Sequence, residues 1–213
     1  MESNIFTISL AKNPNITVDI IPGHYTTSNM HTNNYLDVSS LRSDAIVARD
    51  VAREIVLPYS STPIDTIVCM EKMEVIGAYV AQELFQEDSS GINSGNRIKV
   101  LSPLNNAYGN LVFSGRVIKW ITNKNILLLM GTISSGSTLK KIIECISYYG
   151  GTISGISALY SASPITSSTE IHTLFSSADI PGYKIFTASE CEFCKEGIKL
   201  DAIVSSEGYT KID

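Results

Sequence analysis

The chain has 213 residues, 44% of them hydrophobic and 17% charged, and a formal net charge of −5. That balance gives no basic footprint for nucleic acid, and no apolar run approaches the roughly 20 residues of a membrane span. The start, MESNIFTISLAK, lacks the basic-then-apolar order of a secretory signal, so a cytoplasmic location is expected. The length suits one domain over residues 1–213, and the low charged fraction points to surface buried in an oligomer.

In chain order, Ser39 or Ser40 is placed to cap a helix whose buried side carries Leu41, Ala45, Ala48, Ala52, Ile55 and Val56, ending near Pro58. Ile64 to Met70 reads as a strand, and Glu74 to Phe85 as a helix with an acid in its first turn. The polar stretch Gln86 to Asn96 reads as a loop, and Arg97 to Leu101 and Asn110 to Ile121 read as strands. Ile126 to Met130 is an unbroken apolar run, as expected of a strand buried on both faces of a parallel sheet. After the loop Gly131 to Ser137, a helix is expected with Leu139, Ile142, Ile143, Ile146 and Tyr149 on one face, ending at Gly150-Gly151. Ile153 to Tyr160 then reads as a buried strand, Ser167 to Ser177 as a short helix and Tyr183 to Thr187 as a last strand. Alternating strands and helices predict an α/β fold with a doubly wound parallel sheet, whose ligands bind beyond the carboxyl ends of the strands.

The loop after Met130 carries the chemistry. Thr132, Ser134, Ser135, Ser137 and Thr138 surround Gly136 with hydroxyls immediately before a helix. The first N–H groups of a helix have no intrahelical partner, and its dipole favours negative charge there. A single capping hydroxyl would satisfy the ordinary structural need; this loop has several, which points to a phosphate on Ser134 to Thr138. The segment is not a P-loop, since no Lys follows Gly136, and it lacks the GxGxxG spacing of a dinucleotide site.

Thr132-Ile133-Ser134-Ser135-Gly136-Ser137-Thr138-Leu139 resembles the phosphoribosyl diphosphate loop of type I phosphoribosyltransferases, where four apolar residues and two acids precede a segment like V-I-T-T-G-G-T-L. The positions of the two acids, which contact the ribose hydroxyls in that family, hold Met130 and Gly131. Further segments resemble the orotate branch. His24-Tyr25-Thr26-Thr27-Ser28 followed by Asn34-Tyr35-Leu36-Asp37 is similar to the segment that helps build a hood over the base, which implies base contacts from Thr27, Ser28 and Tyr35. The resemblance also implies hood elements over residues 1–38 and 183–213. Glu71-Lys72-Met73 stands where the family has its pyrophosphate loop, and Glu71 and Glu74 would meet magnesium through the diphosphate. Arg97 and Lys99 stand where the orotate enzymes carry a mobile basic loop. By alternation, Arg97, Lys99 and Leu101 equally suit one face of an edge strand.

The resemblance implies transfer of phosphoribosyl from phosphoribosyl diphosphate to a pyrimidine-like base, in a homodimer. Without the acid pair, turnover with orotate is expected to be weak or absent. The alternative is a regulatory module that binds a nucleotide or phosphosugar without turnover.

Of the four cysteines, Cys69 and Cys145 fall inside a strand and a helix and read as core. Cys191 and Cys194 resemble the C-P-L-C tail of some orotate enzymes and form half of a zinc ribbon, which needs two more ligands. A metal site, a redox pair and a reduced structural turn are the readings, of which the last needs nothing further, so no protein-bound metal is assigned. His24 and His31 bracket a polar segment expected to contact a ligand or partner.

Overall fold

The computed structural model describes residues 5–27, 30–86, 91–162, 170–205 and 208–212. Three antiparallel strands open it: β1 (Phe6–Leu10), β2 (Asn13–Thr26) and β3 (Met30–Asp37). Helices α1 (Ser39–Ser43) and α2 (Ala45–Val56) lead to β4 (Thr66–Cys69), α3 (Glu74–Gln86) and β5 (Lys99–Leu101). The small pair β6 (Leu104–Asn105) and β7 (Leu111–Val112) precedes β8 (Asn125–Ile133), α4 (Ser137–Tyr148), β9 (Thr152–Ser161) and β10 (Ile171–Ser176). The chain closes with β11 (Ile185–Thr187), the one-turn α5 (Glu192–Lys195), β12 (Ala202–Ser205) and β13 (Gly208–Lys211).

The central sheet is parallel throughout, in the order β10-β9-β8-β4-β5. By chain order its five strands run 2-1-3-4-5, which puts the topological switch point between β4 and β8. The apolar run of β8 serves two cores by simple alternation. Leu127 and Leu129 face α2 and α3, while Ile126, Leu128 and Met130 face α4, where Leu139, Ile142 and Ile146 pack. Layers on both faces explain why no polar residue interrupts Ile126 to Met130.

A second sheet runs β11-β3-β2-β12-β13, with β1 also paired to β2. It joins the two ends of the chain: β12 lies parallel to β2 with Ala202 opposite Tyr25, and β11 lies antiparallel to β3 with Phe186 opposite His31. Tyr25, Tyr35 and Tyr209 pack their rings together beneath it, with centroids 5.0–6.2 Å apart.

Several expected elements are corrected. The helix starting at Ser39 is two helices, broken at Asp44, whose Oδ1 accepts the N–H groups of Ile46 (2.8 Å) and Val47 (3.2 Å) and so starts α2 afresh; neither Ser39 nor Ser40 is the cap. The strand expected over Asn110 to Ile121 is only β7. Beyond it Phe113 and Ile121 turn into the core under α4, and the Thr66 hydroxyl holds the Trp120 carbonyl at 2.6 Å in a 3₁₀ turn. Of the helix expected over Ser167 to Ser177, residues 167–169 lie outside the described residues, and Ile171–Ser176 is instead an edge strand that buries Phe175. Tyr183 to Thr187 contributes β11, which belongs to the second sheet. Finally, β8 continues through Gly131, Thr132 and Ile133, so the loop proper begins at Ser134. Among the described residues no helix is long and apolar enough to cross a membrane.

The break at Asp44 gives a test. Asp44→Ala should cost about 0.5–2 kcal/mol of stability, the usual loss on removing a helix cap, while Asp44→Asn should be nearly neutral. Denaturant unfolding of both variants checks this, and equal losses would show that charge rather than capping matters there.

Candidate functional site

The carboxyl ends of β4 and β8 open onto one cleft of ≈ 280 Å³, lined by Glu71 from the β4 side and by Thr132 to Leu139 from the β8 side. Gly136, with φ 76°, occupies the residue before α4 in the left-handed region, where a side chain would be strained. No side chain caps α4. Among the described residues, no hydrogen bond engages the hydroxyls of Ser134, Ser135, Ser137 or Thr138. The helix therefore presents its first N–H groups and a ring of uncommitted hydroxyls to the cleft, the arrangement that suits an anion.

The other lip is shaped by Glu71 and Lys72, two successive non-glycine residues in the left-handed region, with φ of 53° and 63°. Backbone of this kind costs stability and persists where the surroundings enforce it. Here the Arg42 guanidinium of α1 donates to the Glu71 carbonyl, and Glu71 Oε2 accepts the N–H of Thr132 at 2.7 Å. That contact needs Gly131. A Cβ there would stand 2.6 Å from Glu71 Oε2. So at a position where the resembled family has an acid, this chain has none, and an acid from the neighbouring strand's loop reaches over instead. Burial pushes the Glu71 carboxyl above its ordinary range, opposed by the Thr132 N–H, Arg42 and the Gly131 N–H.

A narrower extension of ≈ 90 Å³ runs from this cleft toward the second sheet. Thr27, Asn34 and Tyr35 line it from β2 and β3, Val204, Ser205 and Gly208 from the chain end, and Arg42 and Tyr160 from below. The Tyr160 hydroxyl is buried without a hydrogen bond of good geometry. Burial, followed by the neighbouring Tyr183, raises its pKa beyond the ordinary phenol range, so it stays a neutral donor and acceptor. A buried polar atom of this kind is an exception that a ligand group would resolve. On the opposite side a groove of ≈ 430 Å³ passes Glu71 and Thr138 and adds Lys72 and Lys141.

The structure thus brings together Thr132, Ser134, Ser135, Gly136, Ser137, Thr138, Glu71, Lys72, Thr27 and Tyr35. Met73 is fully buried in the core beneath α3, so its side chain is not offered to the cleft. Ser28 lies outside the described residues. Arg97 is exposed and lines none of these cavities, and Lys99 places its ammonium 5.3 Å from the Trp120 ring centroid on the edge strand. Arg42 and Tyr160 were not singled out by sequence. The signal for the Glu71 contact was present in Gly131, a residue without a side chain at the end of an otherwise bulky strand. Cys69 and Cys145 are both buried.

No protein-family model and no curated protein matches the sequence. Solved structures do. The chain is similar to UMP synthase of Leishmania donovani, with a TM-score of 0.57 at 14% identity over 89% of this chain. It spans 37% of that protein's length. It is also similar to the orotate phosphoribosyltransferase of Mycobacterium tuberculosis H37Rv, with a TM-score of 0.50 at 11% identity over 75% of this chain and 90% of the other. The chain has the type I phosphoribosyltransferase fold. Adenine phosphoribosyltransferase of Leishmania donovani is among the similar structures too, with a TM-score of 0.48 at 13% identity over 70% of this chain and 73% of the other. In this fold the cleft just described lies at the switch point, with the loops after β4 and β8 as its two lips.

The raised carboxyl of Glu71 has a measurable sign. The folded chain holds that proton more tightly than the unfolded chain, so ionisation costs stability once the pH passes the ordinary carboxylate range. Glu71→Gln keeps an acceptor for the Thr132 N–H and removes the charge. The variant should melt higher than wild type at neutral pH, and the gap should close as the pH falls below the carboxylate range. A lower melting temperature at pH 7 would show that Arg42 and the backbone donors outweigh burial.

Proposed function

We propose that this chain binds phosphoribosyl diphosphate, or the nucleotide made from it, and transfers the phosphoribosyl group to a pyrimidine-like base. The observation that carries this reading is the pairing of an uncapped, hydroxyl-ringed helix N-terminus with the Glu71 carboxylate across one cleft. Ser134, Ser135, Gly136, Ser137 and Thr138 take the 5′-phosphate through N–H groups and hydroxyls. The ribose lies between that cradle and Glu71, whose carboxylate supplies an acceptor of the kind lost at Met130 and Gly131. The diphosphate runs into the groove beside Lys72 and Lys141. Magnesium suits this arrangement, since it takes one or two carboxylates and otherwise phosphate oxygens and water. Glu71 has an oxygen not bonded to Thr132, whereas Glu74 Oε1 already accepts from the Ser102 hydroxyl at 2.6 Å. Magnesium would supply charge neutralisation of the departing pyrophosphate.

The second sheet acts as the hood. Thr27 and Tyr35 from one end of the chain and Ser205 and Gly208 from the other roof the narrower pocket, and the base lies there between Tyr35, Arg42 and Tyr160. Excluding water from such a site strengthens every charge interaction in it. A homodimer and a cytoplasmic setting complete the reading.

A second reading, a nucleotide-binding regulatory module without turnover, is favoured by one specific observation. Arg97, just before β5, and Lys99 within it are not at the cleft. Lys72 and Lys141 are what remains to steady the leaving group, and a single Glu71 stands for two acids.

Calorimetry with phosphoribosyl diphosphate, orotate and their nucleotide product, paired with pyrophosphate release, separates the readings. Ser135→Val combined with Thr138→Val should weaken phosphomonoester binding by about 1–3 kcal/mol while leaving the fold intact by circular dichroism. Unchanged nucleotide affinity in that double variant would sink the phosphate assignment. Turnover of the wild type with orotate is expected well below the ~10 per second of ordinary enzymes. Tight nucleotide binding with no pyrophosphate release at all would establish the regulatory reading instead.

A further inference from the structure

The second sheet holds a cluster that the phosphate cleft does not use. His24, His31, Cys191 and Cys194 each direct one ligand atom to a common point, and those four atoms lie within 4.8 Å of one another. His24 comes from β2, His31 from β3, and the two cysteines from the turn that forms α5. Three of the four side chains are buried, and Cys194 alone is exposed.

The distances match the edges of a coordination tetrahedron. His24 Nε2 is 3.1 Å from His31 Nδ1, 3.4 Å from Cys191 Sγ and 3.8 Å from Cys194 Sγ, and Cys194 Sγ is 3.4 Å from His31 Nδ1. With zinc–nitrogen bonds of about 2.05 Å and zinc–sulfur bonds of about 2.3 Å, tetrahedral edges are about 3.3 Å for nitrogen–nitrogen and about 3.6 Å for sulfur–nitrogen.

Hydrogen bonding alone does not account for the cluster. His24 Nδ1 lies 3.0 Å from the Ile198 carbonyl and 3.2 Å from the Lys199 carbonyl, so Nδ1 carries the proton and donates there. That leaves Nε2 as a bare acceptor with one lone pair. Three groups crowd it, and one lone pair takes one donor. A cation satisfies all four atoms together, and a ring N–H held by a backbone carbonyl is how metal-binding histidines are usually oriented. Phe193, between the two cysteines, lies with its ring centroid 5.1 Å from that of His24 and covers one side.

We infer that His24, His31, Cys191 and Cys194 form a structural zinc site that fastens the β2–β3 hairpin to the C-terminal turn. Two imidazoles and two thiolates in a tetrahedron select zinc among the common divalent ions. With all four positions filled by protein the site is closed, so its role is to hold structure rather than to activate water. Binding releases the thiol protons of both cysteines as the two sulfur–zinc bonds form, and no electron is transferred. A β-bulge makes the geometry possible. Pairing shifts between Pro22 and Tyr25, so β2 carries one residue more than β3 there and His24 turns toward His31. Asp201 then braces the bulge: its Oδ2 accepts the His24 N–H at 2.7 Å, and its own N–H donates to the His24 carbonyl at 2.8 Å.

The test is metal analysis of the full chain purified under reducing conditions, with thiols counted by titration. One zinc per chain is expected. Cobalt(II) added to the stripped protein should give the visible bands of a tetrahedral ion and a near-ultraviolet thiolate charge-transfer band. Cys194→Ser, at the exposed ligand, should keep the fold by circular dichroism while weakening zinc at least 10–100-fold, the loss seen when even an outer partner of a metal ligand is removed. His31→Ala should abolish the cobalt spectrum. Free thiols together with no zinc above background and no cobalt bands would overturn the site. So would a Cys191–Cys194 disulfide that re-forms in preference to metal binding when zinc is supplied to the reduced protein.

Discussion

Much of the architecture hangs on a carboxylate resting against a strand backbone. Glu71 accepts the N–H of Thr132 only because residue 131 has no side chain. That one contact bridges the two lips of the switch point, since Glu71 lies in the loop after β4 and Thr132 near the end of β8. Arg42 draws in a third element. By donating to the Glu71 carbonyl it ties α1, which follows directly from the second sheet, to the loop after β4. Buried carboxylates are costly unless their lone pairs are used, so the strained backbone of Glu71 and Lys72 and the donors around it have to be accounted for together. A change at any of these residues reaches the others.

The parallel core was readable because its signal is local. Ile126 to Met130 has to face apolar layers on both sides, and the helical spacing of Leu139, Ile142 and Ile146 names the layer on one of them. The hydroxyl loop was equally plain, since strand, glycine and helix N-terminus sit next to one another in the chain. The failures were of another kind. Asp44 stops a helix through a bond to its own downstream backbone, and the apolar pattern on either side runs on as if nothing happened. Phe113 and Ile121 alternate like strand residues yet turn inward beneath α4. Ile171 to Ser176 lies on an edge, where the need for a continuous apolar run is relaxed.

The candidate site divides along the same line. Its serines and threonines are contiguous and could be listed from sequence. Glu71 could be named too, though not its contact with Thr132; Arg42 and Tyr160 could not, since the acid, the arginine and the phenol come from separate elements and meet only through the fold. The histidine–cysteine cluster is the extreme case. The CxxC is a local pattern, but His24 stands 167 residues before Cys191 and His31 stands 163 before Cys194, and the extra residue that turns His24 inward has no signature in composition or spacing. Met73 errs in the opposite direction. It is adjacent in sequence to the cleft residues, yet its side chain points into the core just before α3 begins.

The pairing of the two chain ends has a consequence for the order in which this protein is made. His24 and Asp201 are 177 residues apart, and β11 and β12 are synthesised after the whole parallel core. On a ribosome, β1, β2 and β3 can form their own meander early, yet β3 and the end of β2 must wait with open edges until the last strands emerge. Exposed edges are templates for pairing with the wrong chain, and closing so long a loop slows the correct pairing. The central sheet carries no such delay, since its strands follow one another through local crossovers. The roof over the cleft therefore closes only after the strands of the parallel core have been made.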